Sequence, residues 1–211
     1  MTLTCYPKAS ALRAFPIVAF TGLRGHGKTT AADSLVARYN FAHINFADPV
    51  REVCHLVYGV SYIEMLDPVL KEKVLDRYPF KSPRELLQQI GTEMFRGFID
   101  DTWIKAFERA VTQAQIDGLP GVVCSDCRFL NEAAALRAMG ASLIRITDPR
   151  KLNNRGDDQK IIDVYGAHAS EREIDLLPID LTILNDRRVA DLQSAALMQV
   201  DLDPILLETL A

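Results

Sequence analysis

The chain has 211 residues, of which 48% are hydrophobic, and a formal net charge of −4. This length and apolar content suffice for a sizeable core, and we interpret the chain as one α/β domain. The acidic balance argues against duplex nucleic acid as the main partner, so stable nucleic-acid binding is not expected. No apolar run approaches the roughly 18 residues that cross a bilayer, and residues 1–15 lack a continuous secretory segment. We therefore expect a cytoplasmic protein with no membrane partner.

Only two of the four cysteines, Cys124 and Cys127, have a C-x-x-C spacing. A structural zinc site would need a second pair of ligands, and the histidines are scattered along the chain. We expect these two cysteines to be reduced thiols in and just past a buried strand.

Residues 22–29, GLRGHGKT, form a complete G-x-x-x-x-G-K-[ST] phosphate-binding loop (P-loop). An apolar stretch typical of a buried strand precedes it at 16–20, and a helical stretch follows at 29–39. The alternative, a glycine-rich turn with a solvated lysine, is disfavoured by this context. Backbone amides of the loop would wrap a phosphate chain, Lys28 would reach the outer phosphates, and Thr29 would hold Mg²⁺. The predicted ATP-binding residues are Gly22, Arg24, Gly25, His26, Gly27, Lys28, Thr29 and Thr30.

Beyond the loop, residues 42–46 alternate as a second strand, and Asp48 is placed to cap a helix. Residues 53–76 are helical but broken, which predicts two or three short helices outside the sheet. A capping box at 82–85 opens a helix through about Phe98. On it, a buried stripe with a period of four residues is expected, and Gly91 indicates a close approach. The stripe consists of Leu86, Ile90, Met94 and Phe98.

In the second half of the chain, the sequence pattern predicts a helix at 101–115 and then an apolar strand ending in Asp126. This run resembles a Walker B strand, whose acid faces the Mg²⁺ and its waters, so Asp126 is a candidate for the metal shell. The alternative is a helix cap for 128–139, and the two roles can coexist. Further predicted elements are a strand at 141–146, a polar loop at 148–167, a capping box at 170–173, a strand at 181–184 and a helix at 189–200.

This order of elements is that of a nucleoside-monophosphate-kinase-like α/β fold, a parallel sheet flanked by helices. Several short segments besides the loop make the likeness specific. They are residues 46–51 (FADPVR), 86–96 (LLQQIGTEMFR), D-x-W at 101–103, S-D-x-R-F-x-N-E at 125–132, HASE at 168–171 and ND at 185–186. Over residues 16–190 the chain resembles the bacteriophage deoxynucleoside monophosphate kinase family. The resemblance implies ATP-dependent phosphorylation of deoxynucleoside monophosphates (dNMPs), supplying precursors for phage DNA synthesis.

Within that resemblance the chain divides into a core (16–48, 119–147 and 168–200), an acceptor-binding insert (49–118) and a lid (148–167). An acceptor monophosphate calls for bidentate guanidinium groups, and the resemblance places Arg96 and Arg128 where it binds. Arg51 is a further candidate, while Asp48 and Gln88 could recognise sugar or base edges.

The lid arginines Arg150 and Arg155 are candidates to reach the transferring phosphoryl group on closure. With Lys28 and Arg128 they form the predicted catalytic set, and for each arginine the alternative is a solvated surface charge. The side chains of Arg24 and His26 are expected to point outward from the loop. Trp103 and Phe95 are expected in the core rather than stacked on a base.

Two other functions remain open. One is a P-loop kinase for another small acceptor, such as a modified nucleotide, a nucleoside or a cofactor precursor. The other is a nucleotide-binding regulatory module, although the Asn-Lys-x-Asp segment of guanine-specific switches does not occur. The preferred dNMP cannot be read from a motif. The leucine-rich tail at 203–207 is compatible with a homodimer or with packing on the chain's own core.

Overall fold

The computed structural model describes residues 15–152, 173–186 and 188–201. Their centre is a five-stranded sheet with the order β2-β3-β1-β4-β5, in which every neighbouring pair is parallel. The strands are β1 (Ile17–Thr21), β2 (Ala42–His43), β3 (Val122–Cys124), β4 (Ser142–Thr147) and β5 (Leu181–Leu184). Parallel strands need crossover connections, and helices supply them here, so the predicted α/β class is confirmed.

The helices flank this sheet and form the excursion between β2 and β3. In chain order they are α1 (Lys28–Tyr39), α2 (Asp48–Tyr58), α3 (Tyr62–Leu66), α4 (Pro83–Gln88), α5 (Thr102–Ile116), α6 (Leu130–Ala138), α7 (Pro149–Leu152) and α8 (Val189–Asp201). A π-helix (Gln89–Arg96) continues α4, and 3₁₀ turns cover Leu70–Glu72 and Ile174–Leu176.

The core lies on both faces of the sheet. In β1, Ile17 and Ala19 belong to one buried cluster, whereas Val18 and Phe20 belong to another. Successive side chains of a strand point to opposite faces, so β1 is covered on both sides, as expected for a central parallel strand. This burial holds the carboxyl end of β1 in place, and the P-loop begins there.

A third buried cluster lies within the excursion between β2 and β3. Its members come from α2, α3, α4, the π-helix, α5 and the connections after α2 and before α4, and they are Val50, Cys54, Val60, Met65, Leu75, Leu86, Ile90 and Trp103. Trp103 is 4% exposed and Phe95 packs against its ring, so both aromatics are core residues as predicted. The excursion, which we call the insert, therefore has its own apolar centre.

The prediction of a buried stripe along α4 and the π-helix is wrong beyond Ile90. Leu86 and Ile90 are buried, but Met94 is 57% exposed and Phe98 is 86% exposed. The cause is the π-helix, whose i→i+5 hydrogen bonds make each turn wider than the 3.6-residue turn that the prediction assumed. The close approach at Gly91 is confirmed. A Cβ there would lie 3.4 Å from the Val50 side chain, and the Gly91 carbonyl oxygen accepts a 2.6 Å hydrogen bond from Nε1 of Trp103.

The second strand is shorter than predicted. It ends at His43 because the amides of residues 45–47 donate to side chains instead of continuing along β3: that of Asn45 to Asp48, and those of Phe46 and Ala47 to Asp126. Asp48 is also not the N-cap of α2. It is the first residue of the helix, which Ala47 precedes.

Cys124 and Cys127 are buried free thiols, as predicted, and burial raises both of their pKa values. Other predictions lie outside the described residues. They are the lid beyond residue 152, the capping box at 170–173 except for Glu173, and the tail at 203–207. In the part of the chain that the structure describes, no helix is long and apolar enough to span a bilayer.

Because of the π-helix, Ile90 is buried and Phe98 is exposed, so their replacement should affect stability differently. We expect Ile90→Ala to lower the free energy of unfolding by about 3 kcal/mol, because it leaves a cavity in the insert cluster. Phe98→Ala should cost less than about 0.5 kcal/mol, because its ring is exposed. Urea unfolding followed by circular dichroism measures both, and similar losses would show that the stripe continues to Phe98.

Candidate nucleotide-binding site

The P-loop joins β1 to α1 and depends on backbone conformations that only glycine adopts easily. Gly22 and Gly27 have φ values of 133° and 101°. A Cβ on Gly22 would lie 2.3 Å from the carbonyl oxygen of Ile146, and one on Gly27 would lie 2.8 Å from the side chain of Asn185. The loop therefore packs directly against the ends of β4 and β5.

Lys28 lies within the loop rather than in bulk solvent. It is 8% exposed, and its Nζ donates hydrogen bonds of 2.7 and 2.8 Å to the carbonyl oxygens of Gly22 and Leu23. Thr29 and Thr30 follow it in the first turn of α1, where Thr29 is exposed. A buried ammonium at a helix N-terminus makes a site for anions, and phosphate is the ligand that this type of loop binds.

The prediction that His26 points outward is wrong. Its side chain is buried, and Nδ1 accepts a 3.1 Å hydrogen bond from the amide of Asp148. Burial and, next, the charge of Lys28 lower the pKa of His26. The imidazole is consequently neutral at pH 7, with its proton on Nε2. His26 thus connects the loop to the end of β4, a segment that is distant in sequence and becomes its neighbour only in the fold.

The residues after β4 hold the other side of the loop. Lys151 Nζ donates to the carbonyl oxygen of Gly25 at 2.5 Å, and Asn185 Nδ2 donates to that of His26 at 3.0 Å. Arg150 is 58% exposed and forms a two-pronged ion pair with Asp148, while its Nη2 also donates to the carbonyl of Asn185. Its contact with a transferring phosphoryl group stays a prediction, and Arg155 lies outside the described residues.

Asp126 follows β3 and faces the start of the insert. Its two carboxylate oxygens accept 3.0 Å hydrogen bonds from the amides of Phe46 and Ala47. The alternative role as a cap of α6 is wrong, because Glu132 accepts the amides of Arg128 and Phe129 there. Asp126 thus ties the end of β3 to the beginning of α2, and its predicted role in a metal shell is untested.

Asp48 and Arg51 lie together on the first turn of α2. Asp48 accepts from Arg51 Nη1 at 2.5 Å and from the Asn45 amide at 2.7 Å. Burial raises the pKa of Asp48, and the Asn45 amide and the Arg51 guanidinium oppose that rise. The Nε of Arg51 is buried and has no hydrogen-bond partner within the described residues. It is a donor that a bound anion could satisfy.

Arg96 forms a buried ion pair with Glu132. The two side chains are only 8% and 3% exposed, Arg96 also donates to Asn131, and its guanidinium lies 4.0 Å from the Phe129 ring centre. Burial raises the pKa of Glu132, and the charge of Arg96 opposes this effect. This geometry gives Arg96 a structural function, holding the π-helix against α6. Its predicted contact with an acceptor remains a prediction.

Two further cations of the insert, Lys71 and Arg84, lie near predicted site residues. Arg84 pairs with Glu72 at 2.6 Å, and Glu72 also pairs with the loop residue Arg24 at 3.0 Å. Arg24 is thus exposed, as predicted, but turned towards the insert. Burial, followed by the nearby charges of Arg84, Arg51, Arg128 and Arg24, lowers the pKa of Lys71 to about 8. We call Arg24, Arg51, Lys71, Arg84 and Arg128 the cation cluster.

Sequence reasoning missed Lys71 and Arg84 because each has another evident explanation. Lys71 stands in a short, charged 3₁₀ turn, and Arg84 stands inside a capping box. Gln88 lines a cavity of about 280 Å³, and its predicted contact with the acceptor stays a prediction. The other lining residues are Lys81, Glu85, Gln89 and Glu93.

The oxygen donors near the loop suit Mg²⁺ better than a transition metal. Thr29 offers a hydroxyl and Asp126 a carboxylate, and Mg²⁺ prefers such hard ligands while keeping waters and substrate phosphates. No group of three histidines, cysteines or carboxylates able to hold a metal by itself occurs among the described residues. The residues therefore fit a magnesium ion that arrives with phosphates.

Comparison with known proteins gives the fold class and the family of the chain. The sheet order and the loop define a P-loop α/β fold, and the dephospho-CoA kinase from Campylobacter jejuni shares that fold. Its TM-score is 0.53 at 14% identity, with 88% of this chain and 95% of that chain covered. The sequence model of the family described as "Deoxynucleotide monophosphate kinase" matches residues 69–196. The chain belongs to this family.

A viral protein is similar over nearly its whole length. It is the "Putative deoxynucleotide monophosphate kinase" of Acanthamoeba polyphaga mimivirus, 28% identical over 196 residues, with 88% of this chain and 96% of the relative covered. The resemblance inferred from the sequence is thereby confirmed at the level of the family.

The buried ion pair predicts that Arg96 matters for stability. Arg96→Met should lower the free energy of unfolding by about 3 kcal/mol, because it leaves the Glu132 carboxylate buried without its cation. Arg109→Met, at an exposed position of α5, is the control and should change it by less than about 0.5 kcal/mol. Equal stabilities in urea unfolding would contradict the structural function.

Replacing Lys71 should raise the free energy of unfolding, whereas replacing Arg96 lowers it, and the effect at Lys71 should depend on pH. Its pKa in the folded protein is about 8, below the ordinary 10.5, so the folded state binds the proton less tightly than the unfolded chain. Protonated Lys71 therefore opposes folding below pH 8, and this opposition disappears between pH 8 and 10.5. Lys71→Met should raise the free energy of unfolding by about 1 kcal/mol at pH 7, a value reduced for solvent screening.

The stability gain of Lys71→Met should vanish towards pH 10.5. The control is Lys105→Met, because Lys105 is exposed and paired with Glu108, and it should give no gain at pH 7. Urea unfolding at pH 7 and pH 10 measures the difference. A gain that is equal at both pH values would show that the methionine acts through packing and not through the lost charge.

Proposed function

We propose that the protein transfers the γ-phosphoryl group of ATP to the 5′-phosphate of a dNMP, giving ADP and the diphosphate. The observation that carries the proposal is the proximity of two cationic elements, the loop around Lys28 and the cation cluster beside it. Glu72 and Arg24 connect them directly. Two anions must lie in line for this reaction, and each element can neutralise one of them.

The P-loop is the donor side of the proposed site. Its amides and Lys28 bind the β- and γ-phosphates, and the positive end of α1 adds to the attraction. A cavity of about 230 Å³ beside Asn185, which bonds to the loop, is our candidate for the adenine pocket. Its lining consists of Leu184, Asn185, Asp186, Asp191, Leu192 and Ala195.

Thr29 and Asp126 are the residues that would hold Mg²⁺. When bound, the ion neutralises charge that develops on the phosphate oxygens. Arg150 lies at the root of the proposed lid, next to the loop, and could turn from Asp148 to the phosphoryl group when the lid closes. In that ion pair Arg150 is 58% exposed but Asp148 is only 4% exposed, so the contact with the phosphoryl group must offset the loss of the carboxylate's partner.

The acceptor side would be formed by α2 and the rest of the insert. Arg51 and Arg128 belong to the cation cluster, and guanidinium groups bind phosphate oxygens in pairs. Asp48 beside Arg51 is a candidate to position its guanidinium or to contact the sugar. The acceptor's own phosphate oxygen attacks, so no protein base is required.

A role in supplying precursors for phage DNA synthesis goes with this proposal. Its support is the family and the viral relative, whose name gives the same class of activity. The description of the family names no particular base. A panel of dNMPs, ribonucleoside monophosphates, modified nucleotides, nucleosides and cofactor precursors, with coupled detection of ADP, would define the acceptor.

The proposal predicts that Lys28→Ala abolishes dNMP-dependent ADP release. Loss of the ammonium at the outer phosphates should lower kcat/KM by at least about 1000-fold. Lys105→Ala is the matched control, because Lys105 is exposed on α5, where its ammonium pairs with Glu108. Near-normal turnover in Lys28→Ala would refute the donor site, and wild-type protein inactive with every dNMP would refute the acceptor assignment.

A further inference from the structure

One carboxylate connects the two halves of the proposed site. Glu72 accepts a 3.0 Å hydrogen bond from Arg24, in the P-loop, and bonds of 2.6 and 2.7 Å from Nε of Arg84, in α4. Arg24 and Glu72 are 48 positions apart in the chain. The contact thus exists only because the insert folds back over the loop.

The surroundings of Glu72 are strongly positive. Its neighbour in sequence, Lys71, experiences the charges of Arg84, Arg51, Arg128 and Arg24. These side chains come from the loop, α2, α4 and the connection after β3. Glu72 contacts two of the cluster cations and Asp48 contacts a third. Glu72 thus places one negative charge between two guanidinium groups, and a ligand with more than one negative charge would neutralise that pair better.

We propose that Glu72 occupies the place of the acceptor's phosphate, and that a phosphate monoester dianion displaces its carboxylate from Arg24 and Arg84. Lys71 is the third cation of this site. The inference rests on the proposed function and deepens it: Lys71 and Arg84 become acceptor-binding residues, and Glu72 becomes an internal competitor of the substrate.

The exchange is favourable for simple electrostatic reasons. A phosphate monoester offers two charges and three acceptor oxygens, whereas the carboxylate offers one charge and two oxygens. The side chains of Glu72, Arg24 and Arg84 are 43%, 54% and 30% exposed. The displaced carboxylate therefore moves into water, and no buried charge is left without a partner.

The exchange also has a consequence for geometry. Arg24 belongs to the loop that binds the donor, and Arg84 belongs to the insert that binds the acceptor. A phosphate held by both would lie at the junction of the two elements. That is the position an acceptor needs for in-line attack on a donor held by the loop.

The test compares affinities in the absence of ATP. Isothermal titration of the full-length protein with each of the four common dNMPs, and separately with inorganic phosphate, gives Kd directly. Glu72→Gln keeps the shape of the side chain and removes its charge, and it should bind the preferred dNMP about three- to tenfold more tightly than wild type. Lys71→Met and Arg84→Met should each bind it at least about tenfold more weakly.

Glu108→Gln is the control variant. It also removes one carboxylate from an exposed ion pair, but that pair lies on α5, so its Kd should equal that of wild type. Thermal melting of every variant verifies that the fold is retained. An unchanged or weaker Kd in Glu72→Gln overturns the displacement, and unchanged binding in both Lys71→Met and Arg84→Met overturns the site.

The same titrations separate this inference from the proposed function. Binding is measured without turnover, so a protein that binds dNMPs and follows the predicted order of variants, yet releases no ADP, supports the site and refutes the kinase proposal. A protein that phosphorylates dNMPs with the same KM in wild type and Glu72→Gln supports the kinase and refutes the displacement.

Discussion

The site depends on the way one buried ammonium is held. Lys28 lies inside its own loop, hydrogen-bonded to two backbone carbonyl oxygens, and the loop in turn packs on the ends of β4 and β5. Because β1 is buried on both faces, the start of the loop cannot shift without disturbing the core. The arrangement concentrates positive charge at one point of the sheet edge, and the other functional groups are placed relative to that point.

Local sequence patterns predicted the central fold well. The strands around 16–20, 121–126, 141–146 and 181–184 are short apolar runs between helices, and a parallel sheet is the arrangement that buries them. The failures originate in side-chain and packing contacts that a periodic pattern does not include. The strand at 42–46 stops early because carboxylates of Asp48 and Asp126 take its amides, and the fourth helix changes to a π-helix where Gly91 meets Val50 and Trp103. Asp126, Val50 and Trp103 are too far away in sequence for a periodicity to reveal them, and Asp48 acts through a side-chain contact that the strand pattern does not include.

The loop could be assigned from a motif, but the residues facing it could not be assigned completely. Arginine is equally suited to bind a phosphate and to neutralise a buried carboxylate, and only the fold shows that Arg96 lies against Glu132. Lys71 and Arg84 went unnoticed for the converse reason, because charged residues of short surface helices are usually solvated. His26 shows the same limit, since the backbone amide that donates a hydrogen bond to its buried imidazole belongs to Asp148, 122 residues away.

The insert contains the only tryptophan of the chain, Trp103, packed beside Phe95 and bonded to the π-helix. An indole in such an apolar setting emits at shorter wavelength than one in water, whereas the sheet contributes no indole at all. Intrinsic fluorescence therefore observes this subregion selectively, and circular dichroism observes the whole backbone. Whether the two signals change together on denaturation reports directly on the cooperativity between the insert and the sheet.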